Sequence, residues 1–281
     1  MSLQQSRREH LKTIAFWPVI LLLSCVCVIP AWGDKKKKDI VPTDPVPDAY
    51  LPPLPLPTPL RAEELLCMRP VLERDIHYVG NIKGIDVSRY QGNIDWQQVA
   101  RGRHAGYAYI KASENASLID PRYYDNVREA RRAKIPIGSY HFYSPSASPM
   151  VQLMNLKRAM PNLKHQDLVP MIDVEVRGRS NYKTFIENLR QFLLSVEKHY
   201  GVKPIIYTGT NFYNKYLAGC FEDYMFMIAR YGDEPPCLEG NPKFVIWQYS
   251  DCGRIPGINH HVDLSTFVDD YKLKDIMVKK K

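Results

Sequence analysis

Two acidic side chains stand one residue apart in an otherwise apolar stretch, VPMIDVEV at residues 169–176. Charged groups are costly to bury, so Asp173 and Glu175 need a role that offsets this cost. In an extended strand residues i and i+2 point to the same face, so both carboxyls enter one space. Burial and like charge raise one pKa of such a pair, leaving one carboxylic acid beside one carboxylate. Glycoside hydrolysis requires this combination.

Polar side chains also occur at the ends of other apolar runs. Asp86 comes near the end of IKGID, Tyr140 interrupts IPIGSYHF, Tyr207 ends PIIY, and Asp263 lies in HVDLS. In a parallel barrel the active site forms at the carboxyl ends of the strands, so we expect these side chains to converge with the acidic pair. A turn or helix-capping role explains Asp86 by itself equally well.

The elements that position these residues alternate along the chain from about residue 80. Apolar runs predict strands at 82–88, 106–113, 135–143, 168–176, 203–209, 224–231, 243–250 and 261–265. Helical patterns occupy 94–103, 120–134, 148–160 and 181–201, with Asp120 as a candidate N-cap and Gly201 as a C-cap. This alternation predicts an α/β fold, an irregular (β/α)8-like barrel of the TIM type, whose later connections are short.

Aromatic residues cluster near the predicted strand ends, where their faces can stack on sugars. They are Tyr90, Tyr109, Tyr140, Phe142, Tyr143, Tyr207, Trp247 and Tyr249. Ordinary packing explains many of them. The sequence holds no phosphate-binding loop, dinucleotide fingerprint or metal constellation, so we predict neither a cofactor nor a metal.

The N-terminal region differs in composition from the rest. Residues 1–33 carry basic residues and then a continuous apolar run, which predicts a signal peptide or a retained membrane anchor. LLSC ending at Cys25 also resembles a lipoprotein signal. We predict that residues 34–79 form a Lys- and Pro-rich linker and lead-in, and that residues 80–281 form the expected catalytic barrel with a basic tail. We therefore expect an exported protein of the cell envelope, either secreted or membrane-anchored.

Charge and cysteine content limit the partners. The net charge of +8 arises largely from DKKKKD at 34–39 and KKK at 279–281, and no basic stripe interleaved with aromatics points to nucleic acid. We expect a monomer without a nucleic-acid partner. Of the cysteines beyond the signal (Cys67, Cys220, Cys237 and Cys252), Cys220–Cys237 or Cys237–Cys252 could form a disulfide, and unpaired thiols are an equal alternative.

Several motifs in register make the sequence resemble the glycoside hydrolase family 25 lysozymes, the Chalaropsis-type N-acetylmuramidases. The similarity covers about residues 82–268. Its motifs are GIDVSRYQGNIDW (84–96), YIKASE (109–114), IPIGSYHFY (135–143), MIDVE (171–175), PIIYTG (204–209) and WQYSDCGRIPGINHHVDLSTF (247–267). The resemblance implies a barrel often described as β5α3. It also implies hydrolysis of the β-1,4 bond between N-acetylmuramic acid and N-acetylglucosamine in bacterial peptidoglycan.

The resemblance also implies roles for individual residues. Glu175 matches the general acid and Asp173 the carboxylate that orients the substrate's acetamido group, which would itself act as nucleophile. Asp86 and Asp263 match the flanking acids. The expected substrate-binding residues are Tyr140, Tyr207, Trp247, Tyr90 and Lys111. The sequence departs from the family at Asn115, where relatives often have Gly. Two alternatives stay open, a non-catalytic peptidoglycan-binding module and a barrel hydrolase of chitin-like polymers.

Overall fold

The computed structural model of the chain describes residues 83–279. The predictions for residues 1–33 and 34–79, including Cys25 and Cys67, lie outside this part of the chain. No helix within residues 83–279 has both the length and the apolar character needed to cross a membrane.

Nine strands form one sheet within these residues. They are β1 Lys83–Val87, β2 Tyr107–Glu114, β3 Leu118–Ile119, β4 Ile137–Phe142, β5 Met171–Asp173, β6 Ile205–Gly209, β7 Met225–Ala229, β8 Lys243–Gly253 and β9 Val262–Phe267. The strand order is β1-β9-β8-β7-β6-β5-β4-β2-β3, and β1 also pairs with β2. That last pairing closes eight strands into a barrel and leaves β3 as a short hairpin partner of β2.

The barrel is mixed in direction. Neighbouring strands are parallel from β1 through β2, β4, β5, β6 and β7 to β8, whereas β9 is antiparallel to both β8 and β1. The predicted barrel with helices is thus confirmed in its coarse form. A regular (β/α)8 arrangement is not what the structure shows, because β8 and β9 are joined without a crossover helix and a short connection returns the chain antiparallel.

Helices cover the first half of the barrel and become short in the second. They are α1 Trp96–Arg101, α2 Tyr123–Arg132, α3 Pro149–Ala159, α4 Tyr182–Tyr200 and α5 Thr210–Phe212, which continues as a π-helical turn over Tyr213–Leu217. Single 3-10 turns occur at Arg89–Gln91 and Leu273–Ile276. The short later connections agree with the sequence pattern.

The longest helix, α4, shows why these segments are helical. The Asn181 side chain accepts a hydrogen bond from the backbone N–H of Thr184 at 2.8 Å, which caps the first turn. Phe185, Leu189, Phe192 and Val196 recur at helical spacing and are buried against the barrel. The predicted C-cap Gly201 is confirmed, because it ends the helix with a left-handed φ of 72°.

Helix α2 begins later than its sequence pattern predicts. Its first residue is Tyr123, and Asp120 does not cap it. Instead the Asp120 carboxylate accepts hydrogen bonds from the backbone N–H groups of Arg89 at 3.0 Å and Arg122 at 2.9 Å. The predicted N-cap was therefore wrong, and the carboxylate ties the turn after β1 to the turn before α2.

The side chains of alternate strand residues belong to two separate apolar clusters. Ile110, Ile172 and Ile206 pack with the helices in the outer cluster. Their neighbours along the strands, such as Tyr109 and Met171, fill the inner cluster within the barrel. Because side chains alternate across a strand, every second residue packs outward against the helices and the residues between them fill the barrel interior.

Close packing at Gly84 yields a first stability prediction. A Cβ atom at Gly84 would lie 2.1 to 2.4 Å from side-chain atoms of Tyr107, which is fully buried. Gly84→Ala should therefore lower the free energy of unfolding by about 1–3 kcal/mol, measured by urea denaturation. Gly209→Ala is the matched control, since no atom lies within 4 Å of its added Cβ. Equal stability of the two variants would contradict the packing argument.

Candidate active site

Two of the predicted acids face each other across neighbouring strands. Asp86 of β1 and Asp263 of β9 are direct partners in the antiparallel register. Burial raises the pKa of Asp86 to about 8, with a further contribution from the Asp263 charge and an opposing hydrogen bond from Gln248. Burial also raises the pKa of Asp263 to about 7, followed by repulsion from Asp251 and Glu175. The two groups therefore titrate close to neutral pH.

The second acidic pair stands at the end of β5. Asp173 is buried, Val174 turns into the outer cluster, and Glu175 is exposed at the mouth. No hydrogen-bond donor among residues 83–279 reaches Asp173 Oδ1. Burial, then the Glu175 charge, raises the pKa of Asp173 well above its ordinary value. Partial desolvation also raises the pKa of Glu175. The pair therefore retains a proton more strongly than isolated carboxyls do.

Lys111 supplies positive charge next to this pair. Its Nζ donates to Glu114 Oε2 at 2.7 Å and lies 5.1 Å from the centroid of the Phe142 ring. The Lys111 charge opposes the rise in pKa of both Asp173 and Glu175. Lys111 is itself buried, so its attraction for the acids is weakly screened by solvent.

Two predicted tyrosines reach the same space. Burial, and then the negative charges of Asp173, Asp86 and Asp263, raise the pKa of the Tyr140 phenol well above its ordinary value. Tyr207 pairs in register with Asp173, and its hydroxyl donates to Gln248 Oε1 at 2.8 Å. Both phenols therefore remain protonated donors among the acids.

The structure does not bring Trp247 and Tyr90 into this group. Trp247 packs in the outer cluster, and its indole N–H donates to the Arg230 carbonyl at 2.8 Å. Tyr90 lies on the turn after β1 and is 67% exposed, with its hydroxyl 3.1 Å from Arg89 Nη2. Their predicted contact with substrate has no support from this arrangement.

Gln248 and Tyr231 join the site although the sequence did not single them out. Gln248 Nε2 donates to Asp86 Oδ2 at 2.9 Å, and Gln248 Oε1 accepts from Tyr231 at 3.4 Å. The available signal was strand alternation, since Gln248 must point opposite to Trp247. A polar residue that faces the interior from an apolar strand is therefore a candidate site residue, as the acids are.

An open cleft of about 670 Å³ runs from Glu175 across one side of the barrel mouth. Its lining residues are Glu175, Tyr207, Gly209, Thr210, Asn211, Phe212, Asn214, Ala229, Arg230, Tyr231 and Cys237. Glu175 and Tyr207 thus connect the acidic group to a space of the size that an extended polar chain can enter.

The cysteines in the described residues are unpaired, so the bridges considered from sequence, Cys220–Cys237 and Cys237–Cys252, are not formed. Cys220 is buried beside the Tyr182 hydroxyl at 3.2 Å, Cys237 lines the cleft, and Cys252 is exposed. These different surroundings explain why proximity in sequence did not produce a bridge. No group of His, Cys, Asp or Glu within residues 83–279 is arranged to hold a metal ion.

The raised pKa values make stability depend on pH. A carboxyl whose pKa is higher in the folded than in the unfolded chain stabilises the fold at low pH, and this contribution is lost as pH rises through the folded value. For Asp86 the folded pKa is about 8 against an ordinary 3.8. We expect unfolding free energy from urea titrations to fall between pH 5 and pH 9 by about 2–4 kcal/mol.

Asp86→Asn should flatten this pH dependence, because the amide does not titrate. An exposed acid, Asp125 on α2, provides the control, and Asp125→Asn should keep the wild-type slope. A slope unchanged in Asp86→Asn would show that burial of this carboxyl does not govern the stability profile.

A barrel whose mouth gathers paired carboxylates, phenols and an open cleft has the groups that glycoside hydrolysis requires. Comparison with known proteins identifies the family. The sequence pattern of Glycosyl hydrolases family 25 matches residues 85–258. The chain belongs to this family and is a glycoside hydrolase of the muramidase class.

The chain is similar to individual proteins over most of the same region. The uncharacterized protein YegX of Escherichia coli is 40% identical over 190 residues, which cover 66% of this chain and 69% of YegX. Lysozyme M1 of Streptomyces globisporus is 29% identical over 199 residues, covering 66% of this chain and 67% of that lysozyme. The crystal structure of a lysozyme from Streptomyces coelicolor superimposes with a TM-score of 0.64 at 25% identity, covering 70% of this chain and 96% of the other.

Proposed function

We propose that this protein hydrolyses the β-1,4 bond between N-acetylmuramic acid and N-acetylglucosamine in bacterial peptidoglycan. The observation that carries the proposal is the Asp173–Glu175 pair, with one buried carboxyl and one carboxyl open to a cleft at the barrel mouth. Similarity to Lysozyme M1 supports the substrate class.

The first step requires a proton at the leaving oxygen. Glu175 lines the cleft and its pKa is raised, so it is suited to hold a proton and to donate it to the glycosidic oxygen. As the bond from the anomeric carbon to that oxygen breaks, the acetamido oxygen of the same sugar bonds to the anomeric carbon. This substrate-assisted route needs no enzyme nucleophile.

Asp173 is placed to orient that acetamido group. Its unpartnered Oδ1 is available to accept the acetamido N–H, and the carboxylate stabilises the positive charge that develops on the cyclised group. Water then attacks the anomeric carbon, Glu175 takes a proton from that water, and the ring opens. The acetamido group is restored and the sugar leaves with a free reducing end.

Asp86 and Asp263 complete the proposed site. In their ionised forms both carboxylates stabilise the charge of the cationic transition state. Tyr140 supplies a hydroxyl donor to the sugar ring, and Tyr207, whose own proton goes to Gln248, lines the cleft beside it. Lys111 limits the repulsion among the acids. Each of these roles is a proposal for a named side chain and can be tested by substitution.

Product analysis tests the function directly. Purified peptidoglycan is digested, and the soluble fragments are reduced with borohydride and identified by mass spectrometry. A muramidase yields fragments whose reduced terminus is N-acetylmuramic acid. Fragments that end in reduced N-acetylglucosamine would overturn the proposed bond specificity.

The same assay separates the alternative functions. Peptidoglycan binding without new reducing ends would indicate a binding module, and faster release of reducing ends from chitin would indicate a hydrolase of chitin-like polymers. The intact set of four acids, Asp86, Asp173, Glu175 and Asp263, favours catalysis over binding alone.

We also propose that the protein acts as a monomer outside the cytoplasm, in the cell envelope or after secretion. The support for this location is the apolar run at residues 15–32 behind basic residues, together with a polymeric substrate that lies outside the membrane. Attachment through this segment or through a lipid on Cys25 is part of the same proposal. Cell fractionation of the full chain and of Cys25→Ser, with mass analysis of the mature N-terminus, distinguishes cleavage, lipidation and retention.

A further inference from the structure

Gln248 occupies the centre of a hydrogen-bond network that the proposed mechanism does not use. Its side chain is buried on β8, and it links a strand on one side of the barrel to residues lining the cleft. Nε2 donates to Asp86 Oδ2 at 2.9 Å, while Oε1 accepts from the hydroxyls of Tyr207 at 2.8 Å and Tyr231 at 3.4 Å. A single amide thus joins an acid to two phenols.

The orientation of this amide has a chemical consequence. A carboxamide has donors on one side and an acceptor on the other. If the amide were turned over, Oε1 would face Asp86 Oδ2, and two acceptor oxygens would repel each other whenever Asp86 is ionised. The tyrosine hydroxyls favour the observed orientation because they donate to Oε1.

The backbone on either side of Gln248 is held rigidly. The Gln248 carbonyl accepts the backbone N–H of Arg230 at 3.1 Å, and the neighbouring Trp247 indole donates to the Arg230 carbonyl at 2.8 Å. These contacts tie β8 to the segment after β7. A side chain fixed at its base in this way can define the position of its partner.

Asp86 needs such support because its surroundings oppose its charge. Titratable groups of five other strands interact with its charge: Asp263 of β9, Tyr107 and Tyr109 of β2, Tyr140 of β4, Asp173 of β5 and Tyr207 of β6. None of these six is a cation. The other oxygen of Asp86, Oδ1, has no hydrogen-bond partner within residues 83–279.

We infer that Gln248 is a positioning residue, whose amide fixes the Asp86 carboxyl and aligns it with the hydroxyls of Tyr207 and Tyr231 at the cleft. Asp86 Oδ1 is then the oxygen left free for a ligand. Tyr207 and Tyr231, which bond the same amide, line the cleft and connect this hydrogen-bond network to it. The consequence for catalysis rests on the proposed function, whereas the network itself does not.

Two variants test the inference in the full chain. Gln248→Met removes donor and acceptor at similar length, and Gln248→Glu keeps an acceptor but loses the donor. The control is Gln166→Met. Gln166 is also buried, and its Oε1 accepts a hydrogen bond from the Ser139 hydroxyl at 2.8 Å, so its partner is not one of the site acids. Carboxyl ¹³C NMR titration reports the midpoint of Asp86 without any substrate, with Asp86→Asn identifying its resonance.

Both Gln248 variants should move the Asp86 midpoint upward by about one pH unit or more, because a hydrogen bond to the ionised form is lost and, in Gln248→Glu, the new carboxylate also repels Asp86. The acidic limb of kcat/KM should shift in the same direction, with kcat lower by about 10- to 100-fold. The Gln166→Met control should change neither quantity. If Gln248→Met does not fold, an Asp86 midpoint in Gln248→Glu that stays at the wild-type value still overturns the inference, and the kcat comparison with Gln166→Met supports it.

An Asp86 midpoint that stays at the wild-type value in a folded Gln248 variant overturns the inference. So does a kcat equal to that of Gln166→Met on a substrate that the wild type cleaves. A shifted midpoint in a protein that cleaves no glycan would instead support the positioning role while refuting the proposed function. The two failures are therefore distinguishable.

Discussion

Glu175→Gln is expected to lower kcat for peptidoglycan cleavage by about 10²- to 10⁴-fold, the usual contribution of a general acid. The amide cannot donate the proton that the leaving oxygen needs, yet it occupies the same volume at the exposed mouth. KM should change little, because substrate contacts are retained. Release of reducing ends, followed over time at saturating substrate, provides the measurement.

The leaving group makes this prediction specific. An aryl glycoside with an acidic phenol needs little protonation, so its cleavage should lose much less rate in Glu175→Gln than peptidoglycan cleavage does. Glu187→Gln on α4 is the control, since Glu187 is exposed and pairs only with Lys183 at 3.9 Å among the described contacts. Activity of Glu175→Gln at the wild-type level would eliminate Glu175 as the acid.

The second large effect is expected at Asp173. Asp173→Asn should reduce kcat by about 10²- to 10³-fold, because the amide cannot stabilise the positive charge on the cyclised acetamido group. Stability should move in the opposite direction. Asp173 is buried and its pKa is raised, so its ionisation opposes folding, and this cost grows as pH rises through the folded pKa.

Urea denaturation at pH 8 therefore should show Asp173→Asn as more stable than wild type by about 1–3 kcal/mol. At pH 4 the difference should shrink, because the wild-type carboxyl is then protonated. A structural carboxylate would behave otherwise, and its removal would cost stability at every pH above its pKa. Asp125→Asn, on the exposed face of α2, should show neither effect.

The strand pattern was enough to place most of the fold. Apolar runs identified the eight strands of the barrel but not the short β3, because a barrel strand must present apolar side chains on at least one face. Helix α4 was recognisable from its period and its terminal glycine. These features depend on local residue order, which the sequence displays directly.

Strand direction and the start of α2 depended on longer-range contacts. Nothing in the run HVDLS states that β9 is antiparallel, although a connection without a crossover helix favours it. Asp120 looked like a helix cap, but the backbone of Arg89, distant in sequence, competes for its carboxylate. Such competition is decided only when both segments have been brought together.

For the candidate site, the sequence by itself predicted which acids share a space. Period-two alternation placed Asp173 and Glu175 on one side of a strand, and strand ends pointed to Asp86 and Asp263. Only the tertiary structure decided which residues join them. It turned Trp247 outward and Gln248 inward, and it selected Gln248 as the partner of Asp86. The physical reason is that side-chain type is a local property, whereas burial and hydrogen-bond partners arise from closure of the barrel.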